Sequence, residues 1–247
     1  MGTRIRGLLV LSVALLPACS SGEDTVDTSD LTRSLLAQPA GDTRSTPLDP
    51  QSTAPGPNPS IPLTELGMNR GDPEAPVRVI ELSDYGCGYC RQFHQETFPA
   101  LLAEFIETGM VEWKFVPFVT GMFDNSLAAT EAAECALAQD REAFEGLNQR
   151  IWSDQAEWKR SGAPEPVLRG WASELGMDMG AYDSCVGGDE RSPRIGASTA
   201  LARDAGVRGT PTFVVLGYPP LQGALPVDVF RSILMAVHEQ AVADGGR

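Results

Sequence analysis

The chain has 247 residues, 42% of them hydrophobic, enough for one large domain or two small ones with a proper core. Its formal net charge is −14, and lysine occurs only at positions 114 and 159, so the clustered cations that neutralise phosphates are missing and a nucleic-acid partner is not expected. No stretch approaches the roughly 20 apolar residues of a membrane span, which argues against a transmembrane protein.

The first residues bear on compartment. Arg4 and Arg6 precede a short apolar run from Leu8 to Leu16, followed by Ala18 and Cys19, so residues 1–18 read as an export signal peptide. Leu16-Pro17-Ala18-Cys19 resembles the lipobox of bacterial lipoproteins, although Pro17 departs from the small or branched residue usual there. That resemblance implies lipidation of Cys19, a location in the periplasm or cell envelope, and membrane contact only through the lipid. Ser20 after the cysteine is similar to outer-membrane sorting, where the host has such a membrane. The alternative is an ordinary signal peptide cut nearby. Cleavage before Cys19 removes Arg4 and Arg6 and takes the formal charge from −14 to −16.

From 19 to 65 the sequence is dominated by Ser, Thr, Asp, Pro and Gly without a sustained apolar period, and reads as a disordered tether with an end-to-end distance of roughly 35 Å. Within it, Leu31 to Ala37 could form a short helix. Order is expected from Leu66. Val77 to Leu82 has the β-branched density of a buried strand. A long helical pattern follows, with Phe93, Phe98, Leu101, Leu102, Phe105 and Ile106 on one face, Pro99 predicting a kink and Gly109 a stop. Val111 to Val116 reads as a second strand.

The stretch 124–206 carries helical patterns at Ala128 to Ala138, Phe144 to Trp152, Val167 to Leu175 and Ile195 to Ala205, with no convincing strand. A parallel crossover needs only a dozen residues or so, which makes this an inserted helical subdomain. Thr212 to Leu216 is then a strand and Gln222 to Leu225 an edge strand. A closing helix starts at Pro226 with Val227, Phe230, Ile233, Leu234 and Val237 on one face. A short tail, 242–247, completes the chain.

Setting Cys19 aside, four cysteines remain and allow three pairings. An oxidising compartment favours two disulfides, and the spacing of Cys87 and Cys90 lets them pair locally, leaving Cys135 with Cys185. Cys87-Gly88-Tyr89-Cys90 lies between a strand and a helix start, where backbone N–H groups and the helix dipole favour negative charge on the first sulfur. Cys87 is then the attacking thiolate and Cys90 the resolving thiol. Zinc or copper would need two further ligands, yet Cys135 and Cys185 are distant and the histidines are His94 and His238 alone; no metal and no cofactor is expected.

The run from Val79 through Cys87-Gly88-Tyr89-Cys90 to His94, the segment Val207-Arg208-Gly209-Thr210-Pro211-Thr212-Phe213, and the helical insertion between them together resemble the DsbA-like branch of the thioredoxin superfamily over roughly 66–241. The resemblance implies an α/β thioredoxin-like fold whose insertion separates the second strand from the cis-proline strand. It implies a thiol-disulfide oxidoreductase that exchanges disulfides with unfolded or reduced exported proteins and is served by a membrane or soluble redox partner. In that pattern Thr210 and cis Pro211 lie beside the sulfurs and bind substrate as an added strand. Glu81 matches the family's buried acid, with a raised pKa and the role of taking the Cys90 proton; Lys114 is its expected partner. Similar proteins often carry cysteines at the places of Cys135 and Cys185, which implies a structural disulfide, a second redox pair being the alternative.

His94 and His238 read as surface residues, and Trp113, Trp152, Trp158 and Trp171 as packing. Gly86 and Gly88 either admit a substrate backbone or serve the turn. The Gly88-Tyr89 dipeptide tunes the pair; together with Thr210 it looks closer to isomerases and reductases than to strong oxidases. Residues 20–65 lack a dimerisation domain, which points to a monomer with the direction of electron flow open. The competing readings are a copper or zinc chaperone and a catalytically silent thioredoxin-like binding module.

Overall fold

The structure is a computed structural model that describes residues 61–188 and 192–245. The expected export signal, Cys19, the 31–37 segment and most of the expected tether lie outside the described residues. The packed domain begins earlier than Leu66, because Leu63 and Leu66 are each only 1% exposed.

Among the described residues five strands form one sheet in the order β1-β3-β2-β4-β5: β1 (Met68–Arg70), β2 (Val77–Ser83), β3 (Val111–Pro117), β4 (Thr212–Val215) and β5 (Leu221–Gln222). β2 and β3 are parallel and the other pairs antiparallel. β2 lies at the centre with every residue but Arg78 buried, which is why it reads as a nearly continuous apolar run. β1 is too short to carry a period and is absent from the sequence reading. β5 is Leu221–Gln222 and not the expected 222–225.

Helix α1 spans 88–106 and continues through Pro99. Proline offers no N–H, and the helix meets this by widening to i→i+5 bonding over Phe93–Thr97 and Leu102–Ile106, on either side of the α-helical Phe98–Leu101. Gly109, with φ 77°, then turns the chain into β3.

Among the described residues the insertion holds six helices: α2 (Ser126–Gln139), α3 (Arg141–Ser153), α4 (Gln155–Lys159), α5 (Pro164–Glu174), α6 (Met179–Val186) and α7 (Ser192–Asp204). The sequence reading lacks α4, which is a single turn and a half, and α6. Side-chain caps start two of them: Asp140 accepts from the Ala143 N–H of α3 at 2.8 Å, and Asp178 from the Ala181 N–H of α6 at 3.0 Å. The closing helix α8 (Val227–Gly245) includes most of what reads as a tail.

Strand alternation divides the cores. Val79 and Glu81 of β2, with Trp113 of β3 and Phe213 of β4, face α1 and α8, where Phe93, Phe105, Phe230 and Leu234 pack. Ile80, Leu82, Val116 and Val214 face the other way, onto Leu201 and Ala202 of α7. The remaining core joins Phe115 and Tyr85 to the insertion through Trp152, Trp158 and Trp171.

Cys135 of α2 is bonded to Cys185 in the last turn of α6, closing a sequence separation of 50. In the chain-entropy account a loop of that size contributes about 4 kcal/mol. Cys135→Ala with Cys185→Ala should lower stability by that order, read as a lower urea midpoint with thiol exchange retained. Loss of exchange in a folded double variant would assign the bond to electron relay.

Candidate active site

The loop 84–87 joins β2 to α1, and nearly all of its backbone polar groups are occupied. The Asp84 carboxylate, 1% exposed, accepts from the Gly86 N–H at 2.9 Å, the Thr120 N–H at 2.8 Å, the Thr120 hydroxyl at 2.7 Å and the Ser126 hydroxyl. The Cys87 N–H donates to Asp84 O at 2.9 Å. From α4, Gln155 Nε2 donates to Tyr85 O at 2.6 Å and Cys87 O at 2.9 Å, and Lys159 Nζ donates to Gly86 O at 2.5 Å. A Cβ on Gly86 would lie 2.3 Å from Phe123 Cβ, so this glycine lets the insertion close over the loop. Gly88, by contrast, faces open space. Asp84, Gln155 and Lys159 escape sequence reasoning because their roles depend on contacts up to 73 residues apart.

Cys87 is the N-cap of α1, and both Cys87 and Cys90 are free thiols. Of the two disulfides expected, the structure therefore contains one, and the CxxC pair is in its reduced form. The Cys87 thiol is lowered from 9.0 to about 6, chiefly by the hydrogen bond from Cys90, against a desolvation cost. Thr210 and the N–H groups of Cys90 and Tyr89 add to the lowering. Cys90, 0% exposed, moves the opposite way: burial, and then the adjacent Cys87 sulfur, hold its proton on. The two thiols thus share one negative charge unequally.

The Thr210–Pro211 bond is cis, and Cys87 Sγ lies 3.3 Å from Thr210 O. The Thr210 side chain lies near both sulfurs, lowering each. Tyr89, 68% exposed, stands at the rim.

Glu81 is fully buried, and its environment corrects three expectations. Lys114 is not its partner. The parallel register pairs Lys114 with Ile80 and Phe115 with Glu81, which puts the lysine on the opposite face, where Nζ donates to Leu66 O at 2.8 Å. Nor is His94 a surface residue: its Nε2 lies 2.7 Å from Glu81 Oε1, and its ring stacks on Trp152 at 4.4 Å. Ser83 Oγ donates to the same Oε1 at 2.5 Å, and Trp113 Nε1 to Oε2 at 2.9 Å. Burial alone would raise this carboxyl, but the charge and hydrogen bond of His94, with those of Ser83 and Trp113, hold it below the usual carboxylate value and not above it.

With a pKa near 6, Cys87 is about nine-tenths thiolate at neutral pH. Because folding lowers this value, the reduced form holds the resulting stabilisation in full above about 9 and loses it as pH falls through about 6. Alkylation of the reduced protein by iodoacetamide should titrate with a midpoint near 6 at Cys87 and spare Cys90. Thr210→Val, which removes the hydroxyl and keeps the shape, should move the midpoint upward; a midpoint near 9 in the unaltered protein would remove the basis for a reactive Cys87.

A family model described as Thioredoxin matches residues 64–233. Na(+)/H(+) antiporter NhaA 1 of Salinispora arenicola is 32% identical over 148 residues, 60% of this chain but 21% of that protein, so the chain spans about a fifth of the antiporter's length. Among the described residues no helix is long and apolar enough to cross a membrane. The probable disulfide bond formation protein D of Bacillus cereus is 26% identical over 149 residues, covering 60% of this chain and 68% of that one. The alpha-DsbA1 structure from Wolbachia pipientis superposes with a TM-score of 0.65 at 20% identity, over 73% of this chain and 97% of that one, and shares the fold. Since the family match takes in well over half of the sequence, with the CxxC pair and the cis-proline inside it, the chain belongs to the thioredoxin family.

Proposed function

We propose that the chain is a disulfide donor to exported proteins, working through Cys87 and Cys90. The observation that carries this is the opposed shift of the two thiols, Cys87 down to about 6 and Cys90 up. A stabilised Cys87 thiolate is a good leaving group and favours the reduced form of the pair, which makes the oxidised form ready to give its disulfide away. The name of the Bacillus cereus relative, a probable disulfide bond formation protein, supports the same direction.

In the donor cycle a client thiolate attacks Cys87 Sγ and breaks the Cys87–Cys90 bond, and Cys90 leaves and takes a proton. A second client thiolate then attacks the client sulfur of the mixed disulfide. The client gains a disulfide, and Cys87 departs as the stable thiolate. A redox partner restores the pair by the reverse exchange, in which Cys90 must lose its proton to expel the partner's thiolate. Glu81 accepts that proton. Thr210 and Pro211 hold the client backbone across the sulfurs, and the open space at Gly88 beside exposed Tyr89 admits it. The Cys135–Cys185 bond braces the insertion.

The export signal at 1–18 supports action outside the cytoplasm, and the lipobox-like Cys19 supports a lipid anchor, with residues 19–60 as tether to a monomeric domain. A Cys87 value of about 6 lies between the roughly 7 of thioredoxin and 3.5 of DsbA, so the potential of the pair should fall between about −270 and −120 mV. Equilibration with glutathione buffers measures it. A value at or below about −270 mV would make the chain a reductase, and one below about −300 mV with no exchange a silent bridge. Cys90→Ser should trap clients as mixed disulfides on Cys87, whereas Cys87→Ser should trap none.

A further inference from the structure

We infer that the rim around Cys87 selects anionic clients: Arg91, Arg203 and Arg208, together with Lys159, receive Asp and Glu side chains that flank the client's cysteine. The inference rests on the donor reading and names the class of client that Cys87 takes.

The cations that lack a carboxylate partner gather at one place. Arg169 meets Asp183 at 2.7 Å and Arg231 meets Glu104 at 2.7 Å, and Arg70, Arg78, Arg141, Arg150 and Arg194 are each paired in the same way. Among the described residues the arginines without an ion pair are Arg91, Arg160, Arg203 and Arg208. In a chain of net charge −14 this is a notable exception, and all four belong to segments that build the active site.

Arg91 follows Cys90 and stands four positions after Cys87, so the two share a face of α1. A helical side chain leans toward the N-terminus, here toward the sulfur. Arg91 Nε is buried with no hydrogen-bond partner, which leaves a donor for a client oxygen. Arg208 is exposed two residues before Thr210, whose carbonyl oxygen lies 3.3 Å from Cys87 Sγ. Arg203 is exposed too, and its Nη2 donates to O of Thr120 at 3.5 Å, the residue whose N–H and hydroxyl bind Asp84 of the loop. Lys159 Nζ donates to Gly86 O at 2.5 Å, and Arg160 follows it in the chain. Positive charge thus approaches Cys87 from α1, from the cis-proline loop, from α7 and from α4.

The carboxylates on these elements do not cancel it. Asp84 is buried and occupied by its four hydrogen bonds. Asp124, Glu157 and Asp204 are exposed, fewer than the five cations at positions 91, 159, 160, 203 and 208. Nor are the cations spent on the thiolate, which is stabilised by Cys90, Thr210 and the helix N–H groups. The acidic remainder of the surface repels an anionic chain, so the field directs it to this rim.

Three dithiol peptides of equal length test this on the oxidised full-length chain. Their two cysteines are joined by the same Gly-Ser stretch and flanked by pairs of Glu, Ser or Lys. Each reaction moves two electrons: the peptide gains a disulfide, the Cys87–Cys90 bond breaks, Cys90 takes a proton and Cys87 leaves as thiolate. Rates come from acid quenching and alkylation, each divided by the peptide's own rate with hydroxyethyl disulfide, a neutral reagent that corrects for thiol acidity. At low salt the Glu peptide should react at least about 10-fold faster than the Lys peptide, with the ratio falling towards unity in about 0.5 M salt. Arg91→Gln with Arg208→Gln should cut the low-salt ratio to below about 3-fold, whereas Arg169→Gln with Arg231→Gln, which removes the same charge at paired sites, should preserve it. Equal rates for the Glu and Lys peptides in the unaltered chain, with all three oxidised, overturn the inference and leave the donor reading standing. An equal fall in the two double variants overturns it as well, because net charge and not the rim would then select. If none of the peptides is oxidised, the donor reading fails and the inference falls with it.

Discussion

Two sulfurs within hydrogen-bond reach at the start of a helix cannot both be anions in a nonpolar surround, and the rest of the molecule follows from how that single charge is placed. Cys87 sits where the helix leaves N–H groups without intrahelical partners, and those of Tyr89 and Cys90 face its sulfur. Cys90, one turn inward and without exposure, has burial against it. The asymmetry needs the helix start to stay where it is. Asp84 supplies that from within the loop, by gathering the N–H of Gly86 and the hydroxyls of Thr120 and Ser126 onto one carboxylate. Gln155 and Lys159 complete it from outside by taking the carbonyls of residues 85 to 87.

The insertion is therefore more than a lid. α4 is only five residues long and would not persist alone, yet it carries both side chains that fasten the loop. It is held by Trp158, which is fully buried and donates to Ile151 O at 2.9 Å, and by Asn125, whose amide serves the carbonyls of Trp158, Lys159 and Ser161. Asn125 can do so because it takes the left-handed conformation, φ 61°, that its short polar side chain tolerates. The Cys135–Cys185 bond joins α2, the helix that begins at Ser126 beneath Asp84, to α6 at the far end. The covalent tie and the catalytic loop thus share a helix.

What the sequence makes legible is what local pattern encodes. The central strand at 77–82, the CxxC pair at a helix start, the insertion and the Gly-Thr-Pro segment each show as a run of residue types, and all occur in the structure. Contacts that depend on register do not. Glu81 stands out as a charge in an apolar strand, but naming its partner requires knowing which residues of β3 share its face. An error of one residue exchanges Trp113, which donates to Glu81, for Lys114, which lies on the other side of the sheet. His94 reads as a surface residue because a lone histidine one turn after a buried cysteine has no local mark of burial. Its place is set by Trp152, 58 positions on in the chain, whose ring closes over it. Ser83 hides for a simpler reason: a serine ending a strand is unremarkable until its hydroxyl is seen against the Glu81 carboxylate.

The same alternation explains how one strand serves two chemistries. Residues 79, 81 and 83 of β2 face α1, so a carboxylate and a hydroxyl two positions apart stand in a row beneath the helix that carries the sulfurs. Glu81, in the middle of that row, meets His94, which lines a groove beside Trp152. Disulfide exchange moves electron pairs among bulky groups and needs an open face, whereas taking up a proton needs only a carboxylate within a dry core. Glu81 is costly to bury, and its carboxylate is tolerated because Ser83, Trp113 and His94 together satisfy both of its oxygens. An apolar residue at position 81 would remove that cost but would also take away the one carboxylate that stands beneath the sulfur-bearing helix on this face of β2.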